Sequence, residues 1–533
     1  MSNRSKSPSW ILLHGAAVVA VTCSLFSGLR IATLDKPALI TIAELLPQGE
    51  VHTVHFVSAI LLSLAAAGYL ISRIPYFRNL PGISTPKPIN YHRLVTWGGV
   101  SLLITSLLSG WILFNGLGPL PWLRSIHFCS AIGLVFYIFM HGGVYLMQFG
   151  LRALPFILKP SLPKRQYLPL VSLSLGTFSL GFLLVGSWYL IHGYSHHPLA
   201  VAEISPNTII NIDGMASEPQ WQQAQILTLR TDGGANFYKG RSDVQLKALQ
   251  NGQEIFFHIT WQDPNESLAH LPLKKTAEGW EILQSGYKIF DEKRHYEDKF
   301  AILLSENCSF AAAGTAHLGQ SPLADKPANW HGKGYHYSTS EQVHDLWHWK
   351  AVRTNKMHLA DDNFIGKPDK VRPGARRYTA GYQQDSKESG AYRMNWKWYS
   401  PTTITPKRLP AKTDQLAPYQ YSLPHSQSPD WTISWFDYQP YSSSHDQFPL
   451  GTLMPSVLYT SNRFEGDRAD VRARGIWRDG HWSLELVRKL DTGSSQDIPI
   501  VDGICMWVSA FDRAQIAHTR HSRAIQLSFD KTL

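Results

Sequence analysis

Two patterns divide the chain. Up to about residue 192 apolar residues come in long unbroken runs; beyond it they alternate with polar ones and break at Gly, Asp, Asn and Pro. A bilayer crossing takes about 20 apolar residues in a helix. Five segments meet that length: Trp10–Ile31, Val51–Ser72, Tyr91–Phe114, Ser125–Phe149 and Tyr167–Ile191. The first lacks a clear small-residue cleavage site and four more follow it, which sets it apart from a signal peptide. In the second half, Glu254–Trp261, Lys299–Leu304, Trp482–Val487, Ile504–Val508 and Ala524–Phe529 alternate with the period of strands. A β-sandwich with long loops is the expected architecture there. Tyr194–Ser205 reads as a polar linker, and Gly374–Ser428, polar and proline-bearing, as a long excursion. The expected fold is thus α+β in two parts, a transmembrane bundle over 1–195 and a β-domain over 205–533.

Charge orients the bundle. With the N-terminus inside, the inner segments hold Arg4, Lys6, Arg73, Arg78, Lys87, Arg93, Arg152, Lys159, Lys164 and Arg165, against Arg30, Lys36 and Arg124 outside, a ratio of 10 to 3. Basic residues concentrate on the cytoplasmic side. Five spans then leave everything after His192 outside, as in a multi-pass protein of a bacterial inner membrane with a periplasmic C-terminal domain. The net charge of +10 is accounted for largely by this asymmetry, and there is no nucleic-acid motif. Of the four cysteines, Cys23 and Cys129 sit in apolar runs as packing residues. Cys308 and Cys505 lie in the polar half, where pairing is open if that half is outside the cytoplasm.

The apolar runs also carry histidines, which are functional candidates by default inside a membrane. They are His14 in the first span, His52 and His55 entering the second, His92 opening the third, and His127 and His141 in the fourth. Fourteen helical residues return to within about 40° of the same face and advance about 21 Å. His127 and His141 therefore present two imidazoles to one side of a helix, one near each leaflet, as two stacked haems require. By depth, His52 or His55 matches His127, and His14 matches His141. A low-spin b-type haem takes two axial ligands, of which neutral imidazole is a common one. His14, His55, His127 and His141 form the expected ligand set, with His52 and His92 as alternates; His92 is read first as an interfacial or propionate contact.

Leu13-His14-Gly15, Val54-His55-Phe56, Ile126-His127-Phe128 and Met140-His141-Gly142 resemble the membrane b-type cytochromes of nickel–iron hydrogenases and formate dehydrogenases. The resemblance covers residues 1 to about 195. It implies two haem b groups in a four-helix core and electron transfer between quinone and a redox protein or dehydrogenase subunit outside. Gly15 stands where those cytochromes usually have tryptophan.

The second half carries Ile212-Asp213-Gly214, Glu218-Pro219-Gln220-Trp221, Asp345–Arg353, Gly466–Val471, Asp479–Trp482 and Arg488–Leu490. These resemble the haem-binding subunit of ethylbenzene dehydrogenase and related periplasmic dehydrogenases of the dimethyl sulfoxide reductase group. The resemblance implies an immunoglobulin-like sandwich holding one haem b. Some relatives have a C-x-x-C-H attachment motif where this chain reads Cys308–His317 with a single cysteine, so covalent attachment is not expected. His317, Lys350, Met357 and Met454 are the candidate axial ligands for this outer haem. Trp347, Trp349, Trp396, Trp398 and Trp482 read first as sandwich core, and otherwise as the lining of a haem or sugar pocket. No molybdopterin, flavin or iron–sulfur signature is present, and no catalytic residue stands out. The expected function is therefore electron transfer within a respiratory system; the alternative is a membrane-anchored sugar-binding or sensor sandwich without its own haem.

Overall fold

The computed structural model describes helices over 8–33, 51–78, 91–114 and 120–150 and most of 196–529; the larger stretches outside the description are 1–7, 79–90, 115–119, 151–195, 309–315, 318–334, 369–380, 385–391, 421–430, 460–465 and 530–533. The chain divides into two units at Ser195/His196.

The first unit contains α1 (Pro8–Ala32), α2 (Val51–Arg78), α3 (Tyr91–Phe114) and α4 (Leu120–Phe149). In lipid every backbone polar group has to be satisfied within the segment, which an uninterrupted helix does. Among the described residues three helices are long and apolar enough to cross a membrane, Trp10–Ala32, Leu94–Phe114 and Trp122–Met147, and α2 adds a shorter apolar stretch, Val54–Leu70. The expected fifth span, Tyr167–Ile191, lies outside the described residues. The helices pack as hairpins, α1 on α2 and α3 on α4.

The second unit is β-rich. Its main sheet comprises β1 (His196–Glu203), β2 (Leu227–Asp232), β3 (Arg241–Gln250), β4 (Glu254–Gln262), β5 (Lys299–Ser305), β6 (His344–Lys350), β7 (Asp361–Ile365), β8 (Tyr382–Gln384), β9 (Arg472–Arg478), β10 (His481–Lys489), β11 (Cys505–Phe511) and β12 (Ala524–Ser528). The order is β8-β7-β6-β5-β11-β12-β1-β3-β4-β10-β9, with β2 also on β3. In place of the two separate sheets of an immunoglobulin-like sandwich, the strands form one sheet that curls into a half-barrel. The hinge is β1: His196–Ala200 pairs in parallel with β12, and Val201–Glu203 pairs in parallel with β3. The segment expected as a linker is therefore a strand. Its alternation is short, with Leu199 and Val201 buried, and the flanking His196-His197-Pro198 hides it in the sequence.

The two halves of the curled sheet share one core. Ile302, Leu304, Trp347 and Trp349 meet Phe257, Ile259, Trp261, Trp482 and Leu484. Trp261 stacks on Trp482 at 6.0 Å, and Trp349 meets Trp482 edge-on at 4.9 Å. Each such ring buries about 150–250 Å², roughly 4–6 kcal/mol of apolar transfer. Beneath Trp347 lies the buried Arg488 guanidinium, which pairs with Asp345 and donates to the Ile498 carbonyl at 2.6 Å.

A second core joins Leu271, Leu273, Trp280 and Tyr296 to Ile404, Leu409, Leu416, Trp431 and Met454. Much of the expected excursion over Gly374–Ser428 is thus packed structure: Trp398–Tyr399, Ile404–Thr405 and Arg408–Pro410 are strands, while 421–428 lies outside the description. Cys308 and Cys505 form a disulfide across 197 residues of sequence, anchoring the chain after β5 to β11. Closing so long a loop removes unfolded-state entropy, and losing such a bond costs about 2–4 kcal/mol. Cys505→Ser in the full chain is expected to lower the midpoint of thermal unfolding and to abolish its response to reductant. An unchanged midpoint would show that the bond contributes nothing.

Candidate functional site

The candidate site in the first unit is built from two copies of one local arrangement. Ser24-Leu25-Phe26-Ser27-Gly28 on α1 is matched by Ser106-Leu107-Leu108-Ser109-Gly110 on α3. His55-Phe56-Val57-Ser58-Ala59-Ile60 on α2 is matched by His127-Phe128-Cys129-Ser130-Ala131-Ile132 on α4. The contacts repeat with the sequence. His55 Nδ1 lies 3.0 Å from the Ser24 carbonyl and 3.2 Å from Ser27 Oγ. His127 Nδ1 lies 3.1 Å from the Ser106 carbonyl and 3.1 Å from Ser109 Oγ.

These contacts select a tautomer. A backbone carbonyl only accepts, so each Nδ1 is the protonated, donating nitrogen. Ser27 and Ser109 send their own protons to the Cys23 and Thr105 carbonyls, 2.6 Å away in both cases, and their oxygens remain acceptors for the ring. Nε2 then carries the lone pair, the form a metal binds. Close helix approach completes each half-site. A Cβ on Gly28 would lie 3.0 Å from His55 Cε1, and one on Gly110 would lie 3.0 Å from His127 Cε1. Ser58 and Ser130 repeat as well, donating to the His55 and His127 carbonyls.

The two half-sites face each other. The His55 and His127 rings have centroids 6.2 Å apart and planes at 89°. Two metal–imidazole bonds of about 2 Å on opposite sides of one ion, plus the ring radii, give about 6 Å. If an iron were bound here, His55 and His127 would be the residues to hold it, each through Nε2. Arg30 on α1 follows Ser27 by one turn; it is buried, bonds Thr33 Oγ1 through Nη1 at 2.7 Å, and leaves Nε without a partner.

The other expected residues are placed apart from this pair. His14 stacks on Trp10, and His141 lies between Tyr137 and Tyr145. In the repeat, their counterparts are Thr96 and Tyr69. His52 is half-buried on the first turn of α2; His92 lies on the first turn of α3, its side chain outside the description. The repeated S-x-x-S-G and H-F-x-S-A-I segments were the available signal for the serines and glycines, and a search for histidines alone passes over them.

In the second unit Lys350 ends β6 in a buried network. Its amine pairs with Asp361, whose other oxygen accepts from Arg468 at 2.9 and 2.6 Å, and Tyr392 donates to Asp361 at 2.7 Å. Alongside, Glu297 pairs with Arg353 and lies 3.0 Å from His270 Nδ1. Burial opposes its ionisation, but Arg353 and His270 hold its carboxyl well below the usual range. Burial, with Arg353 and Arg468 nearby, pushes the Lys350 amine well below the usual lysine range. Met357 is half-buried in the turn Asn355–Met357; Met454 is enclosed in the second core; His317 lies on a two-residue strand, its side chain outside the description. Among the described side chains, Lys350 is engaged in its ion pair and Met454 in the second core. Trp347, Trp349 and Trp482 are core, whereas Trp396 is half-buried and Trp398 is exposed.

These features define a chain with apolar membrane-type helices followed by a β-rich domain. The family model described as ethylbenzene dehydrogenase matches residues 218–523, and the chain belongs to that family. No curated protein matches it. Among solved structures, a Bacteroides uniformis protein described as carbohydrate-binding has 9% identity and a TM-score of 0.27, covering 63% of this chain and 100% of its own. A family 9 carbohydrate-binding module from Caldicellulosiruptor kristjanssonii with cellotriose has 8% identity and a TM-score of 0.22, covering 63% and 95%.

Breaking one partner of a buried ion pair leaves an uncompensated charge, at a cost of about 3–5 kcal/mol. Lys350→Ala and Asp361→Ala are each expected to destabilise the full chain by that order, and the double variant by clearly less than the sum. Additive losses in denaturant unfolding would show that the two do not act as a pair.

Proposed function

We propose that this protein is a membrane-bound b-type cytochrome that passes electrons between the quinone pool and a redox partner outside the cytoplasm. The observation that carries the reading is the facing pair His55 and His127, both held in the tautomer that offers Nε2, at the spacing one iron requires. A haem held there supplies reversible one-electron transfer. Ser27, Ser109 and the Ser24 and Ser106 carbonyls orient the two rings, and Gly28 and Gly110 let the helices close on them. Arg30, buried at the outer end of α1, offers a cation for the haem carboxylates. His14 and His141 are proposed to hold a second haem nearer the inner leaflet, which gives electrons a path across the bilayer.

The family membership supports a redox role for the second unit, and the disulfide supports its place in an oxidising compartment. The N-in orientation is read from the 10-to-3 basic asymmetry and, with five spans read from the apolar runs, gives a periplasmic second domain. A haem in the second unit has no defined ligand pair: Lys350 is engaged by Asp361 and Met454 is enclosed, which leaves Met357 and His317 as candidates. No electron step is therefore assigned through that group.

Full-length protein purified in detergent with haem supplied is expected to give about two haems per chain by the pyridine haemochrome method, the number two histidine pairs hold. His127→Ala should remove one and His14→Ala the other. Gly110→Leu should also lose the His55/His127 haem without replacing a ligand, by crowding the His127 ring. Folded, colourless protein would end the cytochrome reading.

A further inference from the structure

Three carboxylates that the electron-transfer reading does not use lie together at one end of the curled sheet. Asp263 directly follows β4, Asp298 directly precedes β5 and Asp512 directly follows β11. All three side chains are shut off from solvent, and a carboxylate oxygen of each lies within 4.8 Å of the others. Asp298 is braced: it accepts from Ser267 N at 2.7 Å, Arg513 N at 3.1 Å and Trp482 Nε1 at 3.2 Å. Asp263 and Asp512 use one oxygen each, toward Asn265 N at 3.2 Å and Arg513 Nε at 2.9 Å. Their second oxygens, Asp263 Oδ2 and Asp512 Oδ2, are buried with no hydrogen-bond partner.

The charge does not balance within the protein. Three carboxylates face one guanidinium, that of Arg513. A buried ion without a counter-charge costs several kcal/mol, and a buried oxygen without a donor adds to that. What is missing is two positive charges that approach oxygen only. The donor set has no nitrogen or sulfur, which disfavours zinc and copper and suits a hard cation.

We propose that Asp263, Asp298 and Asp512 bind one calcium ion, which pins the two halves of the curled sheet together. The placement explains the topology of the site. Asp298 and Asp512 come from neighbouring strands of one half, and Asp263 comes from the other half. An ion shared among them ties the ends of β5 and β11, on one side of the β1 hinge, to the end of β4 on the other. Backbone carbonyls and water complete the shell, as is usual for calcium. This site is independent of haem.

The test uses the full chain in detergent, stripped with EGTA and then given CaCl2 alone. Calcium is expected to raise the midpoint of thermal unfolding by about 5 °C, the shift for an ion well above its Kd. Tb³⁺ alone should show emission sensitised through Trp482, which touches Asp298, and calcium should quench it. Asp263→Asn and Asp512→Asn should each abolish both responses. Because each also removes a buried repulsive charge, the calcium-free variants should melt no lower than the calcium-free parent. Equal midpoints in EGTA and calcium with no sensitised emission would overturn the site, the carboxylates then sharing protons. A calcium response undiminished in both variants would overturn it equally.

Discussion

A polar group taken out of water has to be given a partner, and both halves of this protein are organised around that constraint. In the apolar helices the polar groups in question are imidazoles. Each donates from Nδ1 to a carbonyl and a hydroxyl oxygen of the adjacent helix, and the hydroxyl's own proton goes to the carbonyl four residues back. The same solution is used twice, at Ser27 and Ser109. A histidine so held is fixed in rotation and tautomer before any ligand arrives. Lipid makes the arrangement exacting, because no water is available to substitute for a missing acceptor.

The β-rich half meets the same constraint with charges. Arg488 with Asp345, Arg353 with Glu297, and Lys350 and Arg468 with Asp361 are buried pairs lying beside or between apolar cores. Such pairs gain little over apolar residues of the same size, but breaking one is costly. Their effect is to fix register. Asp361 lies on β7 while its partners come from β6 and from the turn before β9. A one-residue slip of β7 would carry its carboxylate to the opposite face. The tryptophan core supplies the apolar burial, and the ion pairs select which alignment of the strands enjoys it.

The sequence disclosed the large division of the chain because long apolar runs and period-two alternation are signals spread over many residues. It disclosed the membrane histidines because a polar ring in an apolar run is conspicuous. It also put Trp347, Trp349 and Trp482 in the core, which the structure bears out. What it hid depends on short or long-range facts. β1 is hidden because its alternation spans few residues and its partners, β12 and β3, pair with it in parallel across the whole domain. The curl of the sheet is hidden for the same reason: a strand that changes partners midway leaves no local mark. Ser27, Ser109, Gly28 and Gly110 were legible only as a repeat, since serine and glycine are ordinary residues in a membrane helix. The carboxylates at 263, 298 and 512 are far apart in sequence, and each is adjacent to a strand end where aspartate is common in turns.

The location of the β-rich half rests on arguments that share no physics. The basic asymmetry is a statement about how helices insert. The disulfide between Cys308 and Cys505 is a statement about redox poise, since reducing compartments keep thiols free. Under the calcium proposal the aspartate cluster would add a third, since calcium sites outside the cell characteristically bind in the range of 10⁻⁴–10⁻³ M. A domain with a long-range disulfide is matched to an oxidising compartment. Under the proposed function, that compartment is also where a helix bundle with its histidine pair near the outer leaflet would hand electrons to a soluble partner.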